Sequence, residues 1–167
     1  MARAALAELR LEKILWIPTG APGYRKPPVA SGKDRIAMLR LAFEREPRYE
    51  IDERELGGGA SGYTYDTLTE LKLESGPSAE LWLLVGADQY AKFEQWHRPN
   101  DIRKLARIGV FARPGWQAAD AQVKVIPFQP MSVSASEIRA RAARGEDVSH
   151  LVPPGVANYI AENRLYR

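Results

Sequence analysis

The 167-residue chain contains no cysteine and only two histidines. Without cysteine there can be no disulfide, no thiolate metal site and no cysteine nucleophile, and the composition fits a reducing compartment such as the cytoplasm. The two histidines, His97 and His150, lie far apart in the sequence, so a metal site with several histidine ligands is not expected. No apolar run approaches the roughly 18 residues that a membrane span needs, and the sequence therefore predicts no membrane segment.

A strong excess of charge is also missing, because 24 basic residues face 21 acidic ones and the net charge is +3. This balance permits anionic small molecules and does not require nucleic acid as a partner. The chain is long enough for one hydrophobic core, and it shows neither repeats nor a linker. We expect a single domain over residues 1–167, and the sequence leaves open whether it forms a homo-oligomer.

Short apolar runs alternate with amphipathic segments along the chain. Strands are predicted at residues 14–17, 49–52, 81–85, 108–111 and 123–126, and helices at 2–10, 34–46, 67–74, 102–106, 136–144 and 154–163. Such alternation is typical of βαβ units, and it predicts an α/β fold with a doubly wound, mostly parallel sheet.

A serine-rich segment, Ser132 to Arg139, opens one of the predicted helices. Ser134 or Ser136 can cap the helix, whose first amides then point towards any anion placed there. Arg139 lies one turn further on and can hold phosphate through two parallel hydrogen bonds. An ordinary serine cap with solvated arginines has the same pattern, so both interpretations stay open.

Gly86-Ala87-Asp88 follows the most apolar predicted strand. Ligands of open α/β sheets bind at the carboxyl ends of the strands, where a glycine permits close approach and a carboxylate can accept from ribose hydroxyls. A simple turn with Asp88 capping the next helix is the alternative.

Three further segments are candidates for ligand contacts. Trp96 sits in a polar stretch, where its indole can stack on an aromatic ligand or pack beneath the loop. The neighbouring His97 fits a surface position better than a catalytic one. Tyr63 and Thr64 begin a predicted helix, which can bind a carboxylate or merely be capped by Thr64. Arg25 lies in a proline-rich loop that can close over phosphates or stay solvated.

The order of these segments is more specific than any one of them. The chain resembles the bacterial nicotinate mononucleotide adenylyltransferases, nucleotidyltransferases with a Rossmann-like α/β fold, from about residue 3 to its end. The resemblance rests on 15–18, 54–56, 62–68, 86–88, 96–98, 113–115, 133–139 and 152–167. The Tyr-Thr-x-x-Thr-Leu segment at 63–68 and the tryptophan after Gly-x-Asp separate this family from related transferases, including those acting on phosphopantetheine.

The resemblance implies a role for each candidate. Trp96 is expected to stack on the nicotinate ring, and Tyr63 and Thr64 to bind the nicotinate carboxylate, largely through backbone amides. The ATP-binding residues implied are Gly86, Asp88 at the ribose hydroxyls, and Ser136 and Arg139 at the phosphates, while Arg25 contacts phosphate from its loop. The implied reaction joins ATP and nicotinate mononucleotide into deamido-NAD and pyrophosphate, with Mg²⁺.

The chain departs from the family at its start. Family members begin with a strand and a Gly-x-Phe-x-Pro-x-His-x-Gly-His segment, whose two histidines stabilise charge on the transferring phosphoryl group. No such segment occurs in the 167 residues, and Gly23-Tyr24 stands where the family has a Pro-His pair. We expect a truncated, catalytically impaired form lacking a central first strand, about 20 residues or more at usual element lengths. The alternative is a non-catalytic nucleotide-binding module that retains the substrate pocket.

Overall fold

The computed structural model describes residues 1–20, 27–112, 121–129 and 133–167. Its strands are β1 (Ile14–Trp16), β2 (Tyr49–Ile51), β3 (Trp82–Gly86), β4 (Arg107–Phe111) and β5 (Val123–Ile126). Its helices are α1 (Ala2–Glu8), α2 (Gly32–Phe43), α3 (Thr64–Ser75), α4 (Ala87–Tyr90), α5 (Pro99–Leu105), α6 (Ala135–Ala143) and α7 (Pro154–Glu162), with short 3₁₀ turns at Arg54–Leu56 and Phe93–Gln95. None of the helices in these described stretches is long and apolar enough to cross a membrane.

The chain divides into two compact units. The first consists of Met1–Ile14 and Ser61–Pro130, and the second of Leu15–Ala60 and Met131–Arg167. Each unit has its own group of packed apolar side chains. The expectation of a single domain stays a prediction.

The first unit is built on a three-stranded parallel sheet in the order β3-β4-β5. Because successive strand residues point to opposite faces, Val110 and Gly109 of β4 face different neighbours. Val110 is fully buried in one cluster with Leu68 of α3 and Ile102 of α5. A methyl group at Gly109 would lie 3.3 Å from the side chain of Leu9, which follows α1. Helical segments therefore cover both faces, as expected of a doubly wound sheet.

The second unit holds the two-stranded sheet β1-β2 and the helices α2, α6 and α7. Apolar residues of α6 and α7, including Ala142 and Ile160, form its core. The Tyr159 hydroxyl of α7 donates a hydrogen bond of 3.0 Å to Asp34 in the first turn of α2. Hydrogen bonds from Ser31 and Tyr159 lower the pKa of the Asp34 carboxyl, and the same contact raises the pKa of the Tyr159 phenol.

All five predicted strands are present, and the six predicted helices differ from the observed ones by three residues or fewer at either end. Within the described stretches, the sequence prediction missed the four-residue helix α4 and the two short 3₁₀ turns. The α/β class is confirmed, and in the described residues the strands form two sheets, β1-β2 and β3-β4-β5. The sequence predicts a sheet that lacks its central first strand, a loss that exposes two strand edges.

Candidate functional site

The carboxyl end of β3 presents Asp88 to solvent. Gly86 ends the strand in an extended conformation and is the N-cap of α4. Ala87 is buried, at 5% exposure, and so fixes the start of the helix, whereas Asp88 is exposed. Asp88 is thus the second residue of α4, and its suggested role as the helix cap is wrong. Among the residues that the structure describes, none has an atom within 4 Å of a methyl group placed at Gly86, so they leave the space beside this backbone open.

A buried glycine and an exposed serine shape the start of α3. Gly62 has φ +72°, a conformation that side chains other than glycine rarely adopt. Tyr63 follows as the N-cap, with extended backbone and no side-chain cap, and Thr64 is the first helical residue. Ser61 accepts a hydrogen bond from the Tyr63 N–H (3.1 Å) and donates one to Asp66 (2.5 Å). The predicted helix start is confirmed, but Thr64 is not its cap.

Trp96 packs against the core of the first unit. It follows the 3₁₀ turn Phe93–Gln95 and is partly buried, with its ring centroid 5.3 Å from that of Phe93. Phe93 itself is 1% exposed, so it anchors the loop that carries the indole. This packing is the alternative in which the indole lies beneath the loop, and the stacking of Trp96 on a ligand stays a prediction.

The next two residues lie beside the start of α3. His97 is exposed, and its ring stacks on Tyr63 with centroids 4.4 Å apart and planes inclined by 30°. The Tyr65 ring meets the same imidazole edge-on, with the two ring centroids 6.2 Å apart. The Arg98 guanidinium lies 4.0 Å from the centre of the Tyr65 ring and donates a 2.9 Å hydrogen bond to Asp101. Two segments predicted to bind the same pyridine ring are therefore neighbours in the first unit.

The start of α6 distinguishes its two serines. The Ser134 side chain accepts from the Glu137 N–H at 3.1 Å and caps the helix. Ser136 is exposed and accepts a 3.1 Å hydrogen bond from the guanidinium of Arg139, which is also exposed. Ser136 and Arg139 thus lie together, as the spacing predicted. Burial raises the pKa of the nearby Tyr166 phenol, and the positive charge of Arg139 acts in the opposite direction.

The predicted site residues fall into three groups. Tyr63, Thr64, Gly86, Asp88 and Trp96 belong to the first unit, whereas Ser136 and Arg139 belong to the second. Arg25, the Arg-Pro-Gly segment at 113–115 and Ser132 lie outside the described residues.

The contact of Tyr65 with Arg98 and the stacking of His97 on Tyr63 were not predicted from the sequence. These pairs are more than 30 residues apart in the chain. The contact between segments 63–65 and 96–98 could have been suggested only by the resemblance, which implies that both segments bind the nicotinate ring.

The described residues contain no group of three His, Cys, Asp or Glu side chains that could hold a metal ion. The candidate residues offer aromatic faces, helix-start amides, the exposed carboxylate of Asp88 and an arginine-serine pair. Such groups bind aromatic rings, ribose hydroxyls and phosphate, which defines a nucleotide-binding α/β protein.

Comparisons with known proteins agree with this class. The model of the cytidylyltransferase-like family matches residues 1–141. A protein of Laribacter hongkongensis named "probable nicotinate-nucleotide adenylyltransferase" is 42% identical, over 100% of this chain and 86% of its own length. A protein of the same name from Bordetella petrii is 40% identical, over 100% of this chain and 90% of its own.

A solved structure is similar in fold. It is a Plasmodium falciparum nicotinic acid mononucleotide adenylyltransferase complexed with NaAD, with a TM-score of 0.74, 16% identity and coverage of 93% of this chain and 83% of the other. The fold is accordingly the Rossmann-like α/β fold of nucleotidyltransferases. The chain belongs to the cytidylyltransferase-like family and, within it, to the nicotinate-nucleotide adenylyltransferases.

The two serines of α6 should respond differently to substitution. Ser134→Ala removes the helix cap and should lower the free energy of unfolding by about 0.5–2 kcal/mol. Ser136→Ala, at an exposed position with no capping bond, should change it by less than about 0.5 kcal/mol. Urea unfolding followed by circular dichroism measures both. Equal losses would show that Ser136 stabilises the helix and is not reserved for a ligand.

Proposed function

We propose that the chain binds nicotinate mononucleotide and ATP for adenylyl transfer in NAD biosynthesis. A phosphate oxygen of the mononucleotide attacks the α-phosphorus of ATP, the bond to the β-phosphate breaks, and deamido-NAD and pyrophosphate form. The observation that carries the proposal is the contact of segment 96–98 with the start of α3, because it places an indole, a helix start and an imidazole together.

The first unit would hold the nicotinate half. A partly buried indole fixed by Phe93 offers a flat, rigid surface to a pyridine ring. The backbone at Tyr63 and Thr64 lies at the positive end of the α3 dipole, which favours a carboxylate. Stacking and charge recognition together suit nicotinate, an aromatic ring that carries an anion.

Each unit by itself also carries residues suited to a part of ATP. Asp88, exposed at the end of β3, suits ribose hydroxyls, and the open space beside Gly86 permits close approach. Ser136 and Arg139, joined by their own hydrogen bond, form a polar pair suited to phosphate. Arg25 is proposed as a further phosphate contact on the strength of the resemblance alone.

Mg²⁺ would enter with ATP, since this ion is usually held by substrate phosphates and at most one or two carboxylates. The described residues offer no preformed metal cluster, so we assign them positioning roles and derive no step through the ion. A cytoplasmic location and the oligomeric state stay open to experiment.

The chemical step is where the 167 residues depart from the family pattern. Phosphoryl transfer depends on positioning and on stabilising charge, and the His-x-Gly-His pair is absent from the sequence. Removing one preorganised donor of this kind typically costs about 10²–10³ in rate. The 167-residue chain should therefore make deamido-NAD at least about 100-fold more slowly than a version extended by a His-x-Gly-His segment ahead of Met1.

The measurement is product formation from ATP, Mg²⁺ and nicotinate mononucleotide, followed by chromatography. Equal rates for the two versions would show that the histidines are dispensable. Binding of both substrates without product in either version would favour the alternative, a nucleotide-binding module without catalysis.

Trp96→Ala should weaken nicotinate mononucleotide by about 1–3 kcal/mol, the range for stacking of a base on an aromatic side chain. ATP affinity should change little. Calorimetry on the purified chain measures both ligands. Trp82→Ala is the matched control, because Trp82 is a partly exposed indole of the same unit outside the proposed pocket. Equal losses for both ligands in Trp96→Ala would assign this indole a purely structural role.

Arg139→Ala should cost about 1.5–3 kcal/mol of ATP affinity, because it removes a charged donor to phosphate. Arg139→Lys should restore only part, since an ammonium lacks the planar fork. The loss should be much smaller for AMP, which lacks the outer phosphates. Arg144→Ala, an exposed arginine at the other end of α6 paired with Glu146, is the control. Equal losses for AMP and ATP would mean that Arg139 does not contact the outer phosphates.

A further inference from the structure

We propose that His97 is a positioning residue that makes the pocket discriminate nicotinate from nicotinamide mononucleotide. This inference rests on the proposed function and concerns the same pocket. The imidazole acts by stacking on Tyr63, which holds the first backbone amides of α3 in place for a carboxylate. Its charge is not required.

The contact geometry carries the argument. The ring centroids of His97 and Tyr63 lie 4.4 Å apart and the two planes differ by 30°, so the rings form a tilted stack. The ring centroid of Tyr65 lies 6.2 Å from that of the same imidazole, in an edge-on arrangement with planes inclined by 73°. Tyr63 and Tyr65 are the residues on either side of Thr64. The imidazole therefore contacts the helix start at the two positions that flank the first helical residue.

The position of the backbone at the start of α3 depends on the residues around it. The N-cap position is occupied by Tyr63, which makes no side-chain capping bond. The preceding residue, Gly62, has a positive φ, and glycine is the most flexible point at which the backbone could move. On the other side, the Ser61 hydroxyl accepts from the Tyr63 N–H. Tyr63 is thus held by its backbone through Ser61 and by its ring through His97.

The residues on either side of His97 in the chain hold it in place. Its neighbour Trp96 packs on the buried Phe93, and Arg98 contacts the face of Tyr65 and pairs with Asp101. An exposed imidazole between two anchored residues keeps its place without being buried. Stacking can therefore order the helix start before any substrate arrives.

Ordering the amides matters more for one substrate than for the other. A carboxylate accepts charge-assisted hydrogen bonds from backbone N–H groups, which are about twice as strong as neutral ones. A carboxamide offers only one neutral acceptor and presents its NH₂ group, which cannot accept from an amide donor. If the amides lose their alignment, nicotinate loses the stronger bonds, and discrimination falls.

The test compares three substitutions at His97 by calorimetry, with nicotinate mononucleotide and nicotinamide mononucleotide as probes. His97→Ala removes the ring, His97→Leu keeps bulk without an aromatic face, and His97→Phe keeps the face without ring nitrogens. His150→Ala is the matched control, because His150 is the only other histidine, is exposed, and lies in the second unit. Thermal unfolding of each variant reports whether it is folded.

Loss of one aromatic pair should weaken nicotinate mononucleotide by about 3- to 10-fold in His97→Ala and His97→Leu. Nicotinamide mononucleotide should change by less than about two-fold, so the ratio of the two affinities falls. His97→Phe and His150→Ala should keep the wild-type ratio. The conservative aromatic variant thereby separates stacking from charge.

Two results would overturn the inference while leaving the proposed function intact. One is an unchanged affinity ratio in a folded His97→Ala or His97→Leu protein. The other is a ratio in His97→Phe as low as in His97→Ala, which would assign discrimination to the ring nitrogens. Failure of the wild-type chain to bind nicotinate mononucleotide would instead refute the proposed function, and this inference with it.

Discussion

The burial of one phenylalanine determines how the first unit presents its surface. Phe93 is 1% exposed and lies in the same cluster as Val110 of the central strand. Trp96 packs on its ring from one side, and the Arg103 guanidinium of α5 lies 4.7 Å from its centre. Because burial of a phenylalanine side chain contributes about 1.5–3 kcal/mol, this residue fixes the loop between β3 and α5 to the sheet. The buried Phe93 thereby keeps Trp96 in a fixed position in the proposed pocket.

Much of the fold could be predicted from local patterns. The short, mostly apolar runs at 81–85 and 108–111 have the length of buried strands. The structure confirms both as β3 and β4. Helix α4 was missed because four residues are too few for a periodic signal to appear. Which strands pair within each of the two sheets does not follow from local patterns, since strand pairing depends on contacts between distant segments.

The candidate site was predictable in its composition and less so in its contacts. The capping of α6 by Ser134 follows from local chemistry, although two serines fitted the pattern and only the geometry selects one. The pairing of Ser136 with Arg139 follows from helical spacing, because residues three apart share a face. The stacking of His97 on Tyr63 joins segments far apart in sequence, so no local pattern in either segment predicts it.

The two helix starts proposed to bind anions share a further physical feature. Each carries an acidic residue in its first turn, which stabilises the helix dipole but repels an incoming anion. In α3 this residue is Asp66, which accepts a hydrogen bond from Ser61, and in α6 it is Glu137, which pairs with Arg141 at 2.9 Å. Each carboxylate thus has a hydrogen-bond or ion-pair partner within its own unit, and this partner offsets part of its negative charge. The acidic residue can therefore stabilise its helix and still leave the helix start favourable to a carboxylate or a phosphate.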